Sequence, residues 1–230
     1  MGTDGELSNK PAEGKRMQVL FVGGADSVGA SCLAIQLADQ WFVVDAGVRV
    51  DQRSDPLPDL SLLEDKAVRA IIVTHAHADH IGALPLLHQA FPAVPIYASR
   101  ATGLLMEVMQ ADALRVMERQ AMEEMELPHY PRALVDQMLN LMRPLPRDAP
   151  LTVPELAHIT IQASRAGHIA GAISLGFEAP DGALVVSGDI SLTVQGAMPP
   201  PVRHPDLLVL ESTYGARLHA NRQAEEARFA

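Results

Sequence analysis

Six consecutive residues, His75-Ala76-His77-Ala78-Asp79-His80, gather three imidazoles and a carboxylate in one short segment. So many imidazoles crowded together are costly to bury unless they share a ligand. Imidazole and carboxylate are donors for zinc and, less specifically, for manganese or iron. The single cysteine, Cys32, cannot supply a thiolate cluster or an internal disulfide, so a metal here has to use nitrogen and oxygen. The chemistry within reach is metal-assisted hydrolysis. The competing reading is a surface histidine cluster that holds no ion.

A buried strand has to deliver this segment. Residues 69–74 form a short apolar run that ends on His75, and residues 79–89 read as a helix. His75 then sits at a strand end, His77 in the turn, and Asp79 and His80 in the first helical turn. Alternation sends His75 and His77 to one side, and the turn brings Asp79 and His80 to an adjacent point. Upstream, strands are expected over 18–23, 32–37 and 40–45, the last two as a hairpin, with a loop over 51–60.

Downstream a strand is expected over 94–98, then an amphipathic helix over 102–126. Its apolar stripe is read as Leu104, Leu105, Val108, Met109, Ala113, Val116 and Met117. A second helix is expected over 131–142. Methionine fills gaps readily, so the Met-rich pair reads as core packing. Strands follow over 159–163, 172–178, 183–187 and 207–210, with Asp181-Gly182 marking a hairpin turn. This order predicts an α+β fold of sheets covered by helices rather than a doubly wound parallel sheet.

The 230 residues are 48% apolar and carry a formal charge of −10. A sizeable core is therefore available, and bulk attraction to nucleic acid is excluded. Phosphate substrates are still admitted, because bound cations reverse the local field. Residues 1–16 are polar, without the apolar run of a signal peptide, and are expected to be a flexible tail. No segment is apolar enough to span a membrane. A soluble, cytoplasmic protein is expected, and the composition is compatible with a homo-oligomer.

Four further residues stand at the ends of apolar runs. His168 lies in Ala166-Gly167-His168-Ile169-Ala170-Gly171, Asp189 in Ser187-Gly188-Asp189-Ile190, and Asp45 in Val44-Asp45-Ala46-Gly47. Glu211 closes the run Asp206-Leu207-Leu208-Val209-Leu210 and opens Glu211-Ser212-Thr213-Tyr214-Gly215. Taken singly, the first three read as loop or turn residues and Glu211 as a strand-end carboxylate.

Taken together, the strand-end aspartate, His-x-His-x-Asp-His, Gly-His and Gly-Asp resemble the metallo-β-lactamase superfamily from about Gln18 onward. The resemblance implies an αββα sandwich with a metal site along one edge. It implies His75, His77 and His168 on one zinc, Asp79 and His80 on a second, and Asp189 bridging the two. Asp45 would orient a ligand from behind. Glu-Ser-Thr-Tyr-Gly, together with Gly-Gly-x-x-x-Val-Gly-x-Ser at 23–31, looks like the β-CASP branch of RNA- and DNA-processing nucleases. That likeness implies a nuclease cleaving phosphodiester bonds, RNA more than DNA, with a metal-activated hydroxide as nucleophile. Asp79, Asp189 and Glu211 would be its catalytic carboxylates.

The implied organisation is a tail over 1–16, a metallo-β-lactamase domain over 17–215, and the start of a β-CASP-like region over 216–230. The family's cap domain would begin there. The cap histidine and the late histidine of the second metal have no counterpart in His204 or His219, so the second site is expected to be incomplete in a truncated chain. Two alternatives stay open: a thioester or lactam hydrolase of the same fold, and an inactive metal-binding fragment.

Overall fold

The structure is a computed structural model that describes residues 17–25, 27–49, 56–124, 128–147, 149–191, 201–215 and 227–228. The tail over 1–16 and nearly all of 216–230 lie outside the described residues. Strands β1 (Gln18–Gly23), β2 (Cys32–Leu37) and β3 (Gln40–Val44) run antiparallel, as their alternating and β-branched residues predict. β3 then pairs parallel with β4 (Val68–Val73), β4 with β5 (Ile96–Ala98), and β5 with β6 (Met142–Pro144). These six form one sheet in chain order.

The smaller sheet holds β7 (Thr160–Arg165), β8 (Ile173–Ala179), β9 (Gly182–Val186) and β10 (Leu207–Val209), in the order β10-β9-β8-β7. Between the parallel strands of the larger sheet lie α1 (Ala78–Ile81), α2 (Leu84–Ala90), α3 (Arg100–Glu124) and α4 (Arg132–Asn140).

Alternation along the strands divides the core in two. Phe42, Val44, Ala70 and Ile72 face the smaller sheet, where Ile161, Ile173, Leu175 and Phe177 meet them. The Phe42 and Phe177 rings pack with centroids 4.7 Å apart. Val43, Ile71, Val73 and Ile96 point the other way and are covered by Leu84, Leu87, Met106, Leu114, Val135 and Met138 of the helices. On the outer side of the smaller sheet, a Cβ at Gly176 would meet Pro201 and Val202 within 3.1 Å. The two sheets are also clasped at a corner. Ala38 and Asp39 form a tight turn with φ of 50° and 58°, and the Ala38 N–H donates to both oxygens of Asp181, 3.0 and 2.9 Å away.

Three expectations need correction. The helix expected over 79–89 is two, broken at Gly82-Ala83. The Ala83 N–H leaves the helical ladder for the carbonyl of Ala46, and Pro85 at the start of α2 has no N–H to offer. Residue 142 belongs to an edge strand, not a helix, and Pro144 conceals that strand from a β-pattern. The most buried face of α3 is Thr102, Met106, Gln110 and Leu114; of the expected stripe Leu105, Met109 and Met117 pack against the core, whereas Leu104, Val108 and Val116 are exposed. Two polar residues on the buried face put the apolar stripe out of phase. Among the described residues, no helix is long and apolar enough to cross a membrane.

Candidate metal centre

The donors gather at one end of both sheets, on the loops that follow β3, β4, β7 and β9. β4 ends in the apolar core, and Thr74, His75 and His80 stay buried beyond it. His75 Nε2 and His168 Nε2 lie 3.1 and 3.0 Å from His77 Nδ1. Asp189 Oδ2 is 3.5 Å from His168 Nε2 and 3.9 Å from His75 Nε2. These four donor atoms all fall within 4.8 Å of one another.

That spacing can be tested against a cation. Ligands about 2.0–2.1 Å from a tetrahedral zinc stand roughly 3.3–3.4 Å apart. The observed separations bracket this value, and the His-rich donor set fits a divalent metal. Asp79 and His80 stand alongside: His80 Nε2 is 3.3 Å from Asp189 Oδ1 and 3.8 Å from Asp79 Oδ2. Asp189 therefore turns one oxygen to each half of the cluster.

Behind the donors, Asp45 holds two imidazoles at once. Its Oδ2 is 2.8 Å from His80 Nδ1 and 2.7 Å from the Thr74 hydroxyl, and its Oδ1 accepts the Thr74 N–H at 2.7 Å. The Thr74 oxygen lies 3.1 Å from His75 Nδ1. Each Nδ1 is thus engaged by a hydrogen bond, which turns each Nε2 toward the cluster. Asp45 sits at φ 61°, a left-handed conformation that aspartate tolerates better than most residues. Thr74 had no place in the reading of the sequence, although it directly precedes the histidine segment; a strand-end hydroxyl there was the available signal.

Electrostatics separate the imidazoles. Burial, with His80 beside it, pushes His75 down to about 2, and burial and His168 lower His77. Burial also disfavours a charged His80, but the Asp45 and Asp189 carboxylates outweigh it and raise that group to about 10. Burial would raise Asp189, yet the His80 hydrogen bond and charge bring it down to about 2. Cys32 is fully buried, and desolvation, reinforced by Asp45, pushes its thiol up, which suits an inert core residue.

The Asp79, His80 and Asp189 side of the cluster lines a cleft of about 490 Å³, with Gly24, Gly29 and Glu211 among the other lining residues. Glu211 is fixed against the loop carrying Asp189. Its N–H donates to Ser187 Oγ at 3.0 Å, and its carboxylate accepts the N–H groups of Ile190 (3.4 Å) and Thr213 (3.1 Å). His204 is exposed, and His219 lies outside the described residues.

The one-turn helix α1 is held along one side by main-chain contacts. Ser31, Val48 and Ala46 donate backbone N–H groups to the carbonyls of Asp79, Ala78 and His80 at 2.9, 3.1 and 2.8 Å. Gly47 makes this approach possible, since a Cβ there would lie 1.6 Å from the Asp79 oxygen. Its role was not legible in the sequence, where Ala46-Gly47 reads as the end of a strand.

A family model described as the metallo-beta-lactamase superfamily matches residues 25–217. Among curated relatives, transcription termination factor FttA of Methanocaldococcus jannaschii is 32% identical over 92% of this chain and 33% of its own length. Ribonuclease TTHA0252 of Thermus thermophilus is 35% identical over 88% of this chain and 45% of its own. The chain thus spans a third to under half the length of these relatives. A solved protein of unknown function from Enterococcus faecalis V583 superposes with a TM-score of 0.50 at 20% identity, over 76% of this chain and 44% of that one, a likeness of fold.

Proposed function

Because this chain belongs to the metallo-beta-lactamase superfamily, we propose that it carries the metal centre of a nuclease that hydrolyses phosphodiester bonds, with RNA the favoured substrate. The observation that carries this reading is the four-donor cluster, whose Asp189 also lines an open cleft together with Asp79, His80 and Glu211. Relatives named for ribonuclease activity support RNA over DNA. The Glu211-Ser212-Thr213-Tyr214-Gly215 segment supports the β-CASP branch.

His75, His77, His168 and Asp189 would hold one zinc, and Asp79, His80 and Asp189 a second. That second set offers three protein donors and is the less complete. Bound cations supply Lewis acidity and lower the pKa of water to about 7. The chain's own residues do the rest. Asp45 and Thr74 keep the Nε2 atoms of His80 and His75 aimed inward. Asp79 and Asp189 orient the attacking water, and Glu211 stands where it can position phosphate or serve the leaving group. The cleft's acids repel a phosphodiester unless cations offset them, so phosphate binding and metal loading should be coupled.

Residues 17–215 are assigned to the metallo-β-lactamase unit, and residues 216–230 to the opening of a β-CASP-like region. A cytoplasmic setting without membrane association accords with the lone buried thiol and the acidic composition.

The test is a substrate comparison on the zinc- or manganese-loaded chain, using labelled single-stranded RNA, a chromogenic phosphodiester and a thioester. Phosphodiester cleavage that a chelator abolishes and metal restores is the expected result. Faster turnover of the thioester would move the assignment to a small-molecule hydrolase. Metal uptake with no hydrolysis would favour an inert binding fragment.

A further inference from the structure

Helix α3 reaches both halves of the donor set at its buried face. Gln110 is 1% exposed, between Met106 and Leu114 on the turns either side, where an apolar residue would ordinarily pack. A buried amide is costly unless its hydrogen bonds are made. Here its Nε2 donates to the carbonyl of Ile81 at 2.9 Å, and Tyr130 places its hydroxyl 3.4 Å from the amide oxygen and 3.2 Å from the carbonyl of Gly82. Ile81 and Gly82 directly follow His80, so the amide and the phenol secure the end of α1 that the backbone contacts from Ser31, Ala46 and Val48 leave open.

Two turns earlier on the same face, α3 grips the other half. Ser99 caps the helix by accepting the Thr102 N–H at 3.1 Å, and the Ser99 and Thr102 hydroxyls lie 2.8 and 3.0 Å from the carbonyl of Gly171. Gly171 ends the loop that presents His168. Its φ is 85°, and a Cβ there would stand 2.5 Å from the Thr102 nitrogen. One rigid helix is therefore fastened at Thr102 to the His168 loop and at Gln110 to the Asp79–His80 turn.

We infer that α3 is the strut that sets the spacing between the two halves of the centre, with Gln110 the positioning residue for Asp79 and His80 and Thr102 its counterpart for His168. The inference rests on the metal-centre reading above for its consequence, but its geometry can be read without any metal. Neither side chain touches the donor cluster. Each acts through a main-chain carbonyl one to three residues beyond a donor.

The experiment uses Gln110→Met and Thr102→Val, which keep approximate volume and remove the side-chain donor, with Leu114→Ala as a packing control on the same helix face. In the metal-free chain, imidazole NMR resonances are read for His80 and His168. The expected result is reciprocal: Gln110→Met shifts His80 and spares His168, and Thr102→Val does the reverse. Zinc titration should then show the weaker site losing roughly tenfold in affinity in Gln110→Met, the loss typical of outer-shell partners. Leu114→Ala should lower the melting temperature while leaving both readouts at parental values. Unshifted resonances in Gln110→Met, or equal disturbance of both histidines as in a general loosening, would overturn the strut. Absence of zinc binding by the parent would overturn the metal-centre reading instead, with the metal-free resonances still deciding the strut.

Discussion

Gly47→Ala should destroy the Asp79–His80 half of the centre and destabilise the whole chain. The added Cβ would lie 1.6 Å from the Asp79 carbonyl oxygen, 1.9 Å from its carbon and 2.5 Å from the His80 nitrogen. All three are backbone atoms, so no rotamer change relieves the overlap. They also belong to a helix pinned by hydrogen bonds from Ser31, Ala46 and Val48. Overpacking of a tight site costs about 3 kcal/mol at the upper end of the usual range, or roughly 6–12 °C in melting temperature for a chain of this size. Gly103→Ala is the natural comparison, because a Cβ there meets only the terminal methyl of Met142 at 3.3 Å. Inside a helix that change should be neutral or stabilise by up to about 1 kcal/mol. Thermal melts of the two variants side by side check the prediction. Equal melting points would mean that α1 is free to move away from Gly47.

The second large effect is expected from Asp45→Asn. Asparagine preserves size and tolerates the left-handed backbone at this position, so the change isolates hydrogen bonding and charge. Asp45 Oδ2 serves both the Thr74 hydroxyl and His80 Nδ1. An amide nitrogen in its place would face His80 with a donor. His80 can answer by moving its proton to Nε2, the nitrogen that points at Asp189. That tautomer has no lone pair for a metal. The expected outcome is a folded chain with metal affinity down roughly 10- to 100-fold at the His80 site. Stability should fall by about 2 kcal/mol for a lost hydrogen bond to a buried charge. Zinc titration by calorimetry measures the first effect and a denaturant melt the second. Unchanged affinity would remove Asp45 from its orienting role.

Much of this was legible because the proposed metal donors sit at the ends of elements that local pattern identifies well. The apolar run before His75, the glycines around His168 and the Gly188-Asp189 step each mark where a strand stops. Nearly every expected strand appears within two residues of its place. What escaped has a common physical cause: it depends on contacts distant in sequence. Gly47 looks like an ordinary turn residue until Asp79 is brought against it. Thr74 looks like a strand residue until Asp45, 29 positions away, turns its carboxylate toward it. Gln110 broke the apolar period of its helix, and that break turned the expected stripe so that Leu105, Met109 and Met117 still reach the core while Leu104, Val108 and Val116 are exposed. The polar residues that disturbed the pattern are the ones that secure the centre.

The most direct measurement is the divalent metal content of the zinc-loaded, desalted chain beside its His77→Ala variant, read by elemental mass spectrometry. His77 Nδ1 lies within 3.1 Å of the donor nitrogens of both His75 and His168, so its removal opens the centre of the four-donor group. The proposed site predicts up to two ions per parent chain, and loss of the ion shared by His75, His77 and His168 in the variant. A parent chain that retains no metal, or a variant that keeps the parent's full complement, would contradict it.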